Sequence, residues 1–92
     1  MKEITKKKLE KYFSVTEEAM NLATKSKNRP DMEEAREDFL DMISRYISDA
    51  KHFYSKNDYV NAFAALNYAH GWLDAGARLK IYKVSDNNLF TV

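Results

Sequence analysis

The stretch NDYVNAFAALNYAHGWLDAGARLK, which runs from Asn57 to Lys80, decides the fold of this 92-residue chain. Wound as an α-helix, its small and apolar residues cover roughly two thirds of the circumference, whereas an ordinary surface helix carries one apolar stripe about 100° wide. A helix of this kind has to be covered from several sides. The stretch therefore predicts a central helix, and its surplus apolar surface indicates an interface.

The remainder of the chain predicts two further long helices. Pro30, Gly71 and Gly76 are the only proline and glycines, and apolar residues recur every three or four positions, which is typical of helices. The helices are expected over residues 2–25, 31–54 and 58–80. Because short connections make consecutive helices antiparallel, the predicted fold class is all-α: an up-and-down three-helix bundle over residues 1–83.

Local chemistry indicates where the second and third helices begin. Asp31, with Glu34 three residues later, is typical of a capping box at the start of the second helix. Pro30 at the first helical position is an alternative start for the same helix. Asp58 is expected to cap the third helix.

The last residues, 84–92, break the helical pattern and are predicted to form a short non-helical tail. Residues 85–88 (SDNN) are a turn or loop signal. Leu89 and Phe90 then bring two large apolar side chains close to the end of the chain. Two interpretations stay open: a frayed terminus, or a tail that docks on another surface.

Composition narrows the functional classes. The formal net charge is +1, so no strong overall field attracts nucleic acid or an anionic membrane. The absence of cysteine excludes disulfides, thiolate metal sites and cysteine nucleophiles. The N-terminal sequence lacks the apolar core of a signal peptide, and no apolar run approaches the ~18 residues of a membrane span. We therefore expect a soluble, cytoplasmic protein without membrane contacts.

The third-helix segment also resembles a known signature, that of a family of short archaeal proteins catalogued as domain of unknown function 357. The resemblance rests on Asp58-Tyr59, Asn61-Ala62, Ala64-Ala65-Leu66, Tyr68-Ala69-His70-Gly71-Trp72-Leu73-Asp74 and Gly76. It covers roughly a quarter of the chain directly. It implies an archaeal, cytosolic three-helix bundle, and it implies no activity.

Polar residues follow one side of the central helix and predict a polar pocket. If the second and third helices fold back on each other about residues 56–57, Asp41 and Arg45 lie opposite the polar residues of the third helix. The pocket would comprise Asp41, Arg45, Asn67, His70, Asp74 and Arg78. One interpretation is a small-ligand or anion site with His70 as proton carrier. The other is a buried histidine whose hydrogen bonds are satisfied by Asp41 or Asp74.

Metal and catalytic chemistry find little support in the sequence. His70 and Asp74 share a helix face, as do Asp49 and His52, but the two histidines lie ~13 Å apart along the bundle and cannot share an ion. Arg45 and His52 resemble, loosely, the arginine–histidine pair of all-helical ribonucleases. We predict no catalytic residues, no metal and no cofactor, and RNA processing remains an alternative only through this polar cluster.

A basic patch on the first helix is the one signal for nucleic acid. Lys6, Lys7 and Lys8 precede two aromatic residues, an arrangement that an RNA or DNA backbone could contact. Antiparallel packing is expected to place these lysines beside residues 49–51, away from the acidic start of the second helix. The patch would then stay partly unpaired.

The surplus apolar surface of the third helix carries the main functional prediction. Its predicted interaction face comprises Tyr68, Trp72 and Leu79, with Leu89 and Phe90 of the tail. Either the tail or a second copy of the chain is expected to cover it, since open aromatic faces are typical of partner sites. The sequence thus favours a protein-interaction or self-association module, such as a homodimer. A small-ligand or RNA-binding protein is the alternative.

Overall fold

The computed structural model describes residues 4–27, 31–84, 86, 89 and 90, and these contain three α-helices packed as the predicted bundle. The helices are α1 (Lys6–Lys25), α2 (Glu33–Ser55) and α3 (Tyr59–Arg78). Helix α3 is the central element: α2 packs along it extensively, and α1 contacts α3 more than it contacts α2.

The helices begin later than the sequence pattern predicted. Thr5 caps α1 by accepting a hydrogen bond from the Lys8 backbone N–H at 3.1 Å, so α1 starts at Lys6 and not at residue 2. The capping box expected of Asp31 and Glu34 was wrong, because the N-cap of α2 is Met32, whose side chain makes no capping hydrogen bond. The alternative start at residue 30 lies outside the described residues.

Asp58 lies in the short connection between α2 and α3 and is the N-cap of α3, as predicted. Asn57 adopts a positive φ of 60°, and the Asp58 N–H then donates to the Phe53 carbonyl at 2.9 Å. This is the Schellman arrangement that closes a helix C-terminus. The Asp58 carboxylate accepts from the Asn61 N–H at 3.2 Å, so one residue ends α2 and begins α3.

Aromatic pairs define how α2 and α3 lie against each other. Tyr46 stacks on Tyr68 with ring centroids 5.4 Å apart, and Phe39 meets Trp72 edge-on at 4.8 Å. Both pairs agree with a hairpin folded about residues 56–57. Small residues on α3 bring the helices together: Ala62, Ala65, Ala69, Gly76 and Ala77 are all buried.

The expected register of α1 against α2 was wrong. Lys51 pairs with Glu17 at 3.4 Å, and the Tyr54 hydroxyl donates to Glu10 at 2.7 Å. Residues 49–51 therefore face the middle of α1, and Lys6–Lys8 lie further along, toward the α2–α3 connection. The prediction treated α1 and α2 as close neighbours. In the structure α1 packs mainly on α3, so contacts with α3 determine its position along the bundle axis.

The chain after α3 folds back and completes the core. Ile81, Tyr82, Leu89 and Phe90 are buried in one cluster with residues of all three helices. The Lys83 N–H donates to the Lys27 carbonyl at 2.7 Å, which ties this segment to the end of α1. The described part of the tail is therefore docked on its own bundle.

Candidate functional site

A cleft between α1 and α3 contains the histidine that the sequence singled out. Its volume is about 420 Å³, and we call it the α1–α3 cleft. It is lined by Tyr12, Val15, Thr16, Leu66, Asn67, His70, Gly71 and Asp74. Pockets that bind small molecules usually enclose about 300–1,000 Å³ of mostly apolar wall with a few polar groups. This cleft lies at the small end of that range.

His70 and Asp74 form a partly buried pair on one wall of the α1–α3 cleft. The distance between His70 Nε2 and Asp74 Oδ1 is 3.5 Å, and the two side chains are 30% and 26% exposed. Their spacing of four residues on α3 places them one helical turn apart on the same face. Asp74 therefore lies beside the Nε2 atom of the imidazole on this wall.

Thr16 is the residue of this cleft that the sequence analysis missed. It is 2% exposed, yet its hydroxyl has no hydrogen-bond partner among the described residues. Thr24, on the same helix, instead donates to the Met20 carbonyl at 2.8 Å. No unpartnered side-chain oxygen in the described structure is sealed from solvent, so the Thr16 hydroxyl opens onto the cleft.

The other members of the predicted polar pocket lie elsewhere. Arg45 Nε donates to Asp41 Oδ2 at 2.9 Å, and this exposed pair sits on α2, away from the α1–α3 cleft. Arg78 is exposed in the last turn of α3 and does not line the cleft. The structure therefore brings together Asn67, His70 and Asp74 and separates them from the residues predicted as anion ligands.

The predicted interaction face also divides into two parts. Tyr68 is 62% exposed and Leu79 is 53% exposed, so both present apolar surface to solvent. Trp72 is half-buried against Phe39. Leu89 and Phe90 are buried in the core, and so they cannot belong to an open face as predicted.

The exposed positions of α3 from Val60 to Ala75 carry no lysine, arginine or carboxylate side chain, and Arg78 borders this surface in the last turn. This surface, the α3 outer face, comprises Val60, Ala64, Tyr68, Gly71, Ala75 and Leu79. No charged residue occurs between Tyr59 and Leu73 in the sequence, although 32% of the chain is charged. An uncharged exposed helix face on such a chain is unusual for a purely solvated surface.

The basic patch stays exposed at the start of α1. Lys6, Lys7 and Lys8 are all exposed and form no ion pair with any residue that the structure describes. Glu10, the nearest acid along the helix, accepts the Tyr54 hydroxyl, and this hydrogen bond raises the pKa of Tyr54 to about 12. The predicted pair of Arg45 and His52 does not form a pocket among the described residues. His52 is exposed with its ring beside Phe53, and Arg45 is paired with Asp41.

A second cleft separates α1 from α2, with a volume of about 750 Å³. Its walls carry Met20 and Ile47 with short polar side chains around them, and the Glu17–Lys51 pair bounds it. Within the described residues, no group of three potential metal ligands converges in either cleft. None of the described helices is both long and apolar enough to cross a membrane.

A protein-family model whose description is "Protein of unknown function (DUF357)" matches residues 11–82. The chain belongs to this family. The match runs from α1 through α3 to Tyr82, and it includes every residue that lines the α1–α3 cleft. Neither a search of curated proteins nor a search of solved structures gave a match. Membership in DUF357 supports the fold and implies no activity.

Proposed function

We propose that this DUF357 protein is an interaction module that associates with a second copy of itself through the α3 outer face. The observation that carries the proposal is the uncharged, exposed surface around Tyr68, whose ring stacks on Tyr46 at 5.4 Å and is 62% exposed. A large aromatic ring held in place by a neighbouring ring is typical of interface anchors.

The chemistry of the α3 outer face suits a copy of itself. Like charges that face each other across a two-fold axis repel. This face carries none between Val60 and Ala75, and an antiparallel partner would not bring the two Arg78 side chains at its end together. Ala64, Gly71 and Ala75 keep its profile low, so a second helix could approach closely. Tyr68 and Gly71 lie near the middle of the face, which lets the ring of one copy pack over the glycine of an antiparallel partner.

The size of the face sets the strength of association. From Val60 to Leu79 it is about 28 Å long, and a helix is about 10 Å wide, so it offers roughly 300 Å². Stable complexes bury about 800 Å² on each partner. Contacts through this face alone would therefore be weak and reversible, which makes protein concentration the decisive experimental variable.

Light scattering over about 10 µM to 1 mM tests this proposal. We expect the mean mass of the wild-type chain to rise with concentration, and the rise to disappear in Tyr68→Glu, which places two carboxylates across the axis. Asn21→Glu, at another exposed position, on α1, is the matched control and should behave as wild type. A wild-type chain that stays monomeric throughout, or a Tyr68→Glu chain that still associates, would overturn the proposal.

A further inference from the structure

We infer that the α1–α3 cleft binds an uncharged nucleobase or nucleoside. This site shares Gly71 with the α3 outer face, and its binding does not depend on the self-association proposed above, because Thr16 lies only in the cleft. The inference starts from two positions in the cleft: a glycine in the interior of a helix, which is worse for the fold than alanine, and a buried threonine whose hydroxyl faces the cleft. Residues that local packing and helix propensity do not call for are typical of functional sites.

Gly71 is the first of these positions. It lies in the interior of α3, where glycine is less favourable than alanine by about 1 kcal/mol. A Cβ added there would meet nothing within 4 Å, so packing does not require glycine. The missing side chain instead leaves open space at the wall of the cleft, beside His70.

Thr16 is the second position. At a position almost closed to solvent, valine packs with the same shape and carries no polar group. Thr16 is nonetheless buried, faces the cleft and has no hydrogen-bond partner among the described residues. Two neighbouring walls, one on each helix, thus offer open space and an unused hydrogen-bonding group to the same cavity.

The groups around the cleft define the class of ligand. Leu66 and Val15 give the lining an apolar part, and the partly exposed Tyr12 ring offers an aromatic surface to a flat ring. Asn67 supplies an amide with a donor and an acceptor, the pairing that reads the edge of a purine. The Thr16 hydroxyl and the His70 imidazole add one further hydrogen-bonding group each.

The same lining argues against a phosphate. No lysine or arginine lines the cleft, and no helix N-terminus points into it among the described elements. Asp74 contributes a carboxylate to the wall, which disfavours an anion. Recognition should therefore depend on the base, and a phosphate group should add nothing to affinity.

Nuclear magnetic resonance titration of the full-length chain tests the inference. The probes are adenosine, guanosine, cytidine and uridine, with adenosine monophosphate and inorganic phosphate for comparison. We expect at least one nucleoside to shift the resonances of Thr16, His70 and Gly71, and the nucleotide to bind no more tightly than the nucleoside. Absence of shifts with all four nucleosides, or binding that requires the phosphate, would overturn the inference.

Variants separate the cleft from the rest of the surface. Thr16→Val and Gly71→Ala should each weaken nucleoside binding by about tenfold or more, which corresponds to one lost hydrogen bond or a filled contact. Both should melt at or above the wild-type temperature. Thr24→Val, whose hydroxyl bonds to its own helix, is the matched control and should bind as wild type. Wild-type binding in Thr16→Val would overturn the inference, as would loss of stability in both cleft variants.

Discussion

At the residue scale, the two glycines of α3 should respond to replacement by alanine with opposite changes in stability. A Cβ on Gly76 would overlap the Tyr82 ring at Oη and Cζ, whereas a Cβ on Gly71 would meet open space. Tyr82 is fully buried and cannot move aside. Gly76→Ala should therefore destabilise the fold by about 1–3 kcal/mol, and Gly71→Ala should stabilise it by up to about 1 kcal/mol.

Urea unfolding followed by circular dichroism measures both free energies of unfolding, each variant serving as the control for the other. The same sign for the two glycines would contradict this account of the tail, because Gly76 is required only if Tyr82 lies over it.

Tyr82 also predicts a loss of stability at alkaline pH. Its hydroxyl donates toward the Trp72 and Leu73 carbonyls, at 2.8 and 2.7 Å. Burial, and secondarily the negative charge of Asp74, raise the pKa of Tyr82 above its usual range. The unfolded chain loses this proton from about pH 10 while the folded chain keeps it, so the free energy of unfolding should fall as the pH rises above about 10.

The Tyr82→Phe variant isolates this contribution. It should cost about 1 kcal/mol at neutral pH, since the two helical carbonyls keep their helical partners when the hydroxyl is lost. Its unfolding midpoint should then decline less steeply than that of wild type between pH 9 and 11. Tyr54, whose pKa is about 12, leaves a residual slope in both proteins. Parallel declines would show that Tyr82 ionises as freely in the folded chain as in the unfolded one.

Residues whose role is repeated along the helix could be predicted from the sequence, and residues defined by one contact could not. The buried positions Ala62, Leu66 and Leu73 follow from periodicity, because each repeats the same helical face. Thr16 occurs in an apolar stripe, and this mismatch was the available signal for the cleft. The role of Gly76 depends on Tyr82, which approaches it only after the chain has turned back.

At the element scale, both described helix ends that close in the Schellman arrangement do so without glycine. Lys80 has a φ of 59°, and the Ile81 N–H donates to the Gly76 carbonyl at 2.9 Å. A side chain in this left-handed region costs about 1–2 kcal/mol. Lys80→Gly should therefore raise the free energy of unfolding by about 0.5–1 kcal/mol after the extra flexibility of the unfolded chain is subtracted.

Lys56 provides the matched control at the other helix end. Its φ is −96°, a value that any residue adopts, so Lys56→Gly gains nothing from relief of strain and should destabilise the fold slightly. Thermal melts of the two variants decide the point. A lower melting temperature for Lys80→Gly would mean that the lysine side chain contributes more than its backbone costs.

The pairing of elements was predictable where a short loop dictates it. Because only three residues connect α2 to α3, the two helices must form an antiparallel hairpin. The register of α2 against α3 is then fixed to within one helical turn. The connection from α1 to α2 is longer, so it does not fix the axial position of α1 relative to α3. Arg36 then donates to the Thr24 carbonyl at 2.5 Å, closing the end of α1 with a side chain from α2, a contact that no periodicity contains.

At the scale of the whole molecule, the tail belongs to the core and is not an addition to it. Phe90 lies 6.4 Å from the Tyr82 ring, centroid to centroid, and is 3% exposed. Phe90→Ala should therefore lower stability by about 3 kcal/mol, which corresponds to a fall of roughly 10 °C or more in melting temperature. Val60→Ala, at an exposed position of α3, should change stability by less than about 0.5 kcal/mol. Equal melting temperatures for the two variants would mean that the tail is detached in solution.

A chain that ends at Lys83 tests whether the tail and the α3 outer face are independent surfaces. Removing the tail after Lys83 exposes the apolar surface around Ile81 and Tyr82. We therefore expect the shortened chain to be less stable than wild type and to associate at a lower protein concentration. The two sources of association are distinguishable by light scattering, because Tyr68→Glu acts only on the outer face. In the shortened chain that substitution should leave the new association intact, whereas in the full chain it should abolish the concentration-dependent rise in mass. If Tyr68→Glu also dissociates the shortened chain, the two surfaces form one continuous interface, and the tail controls access to it.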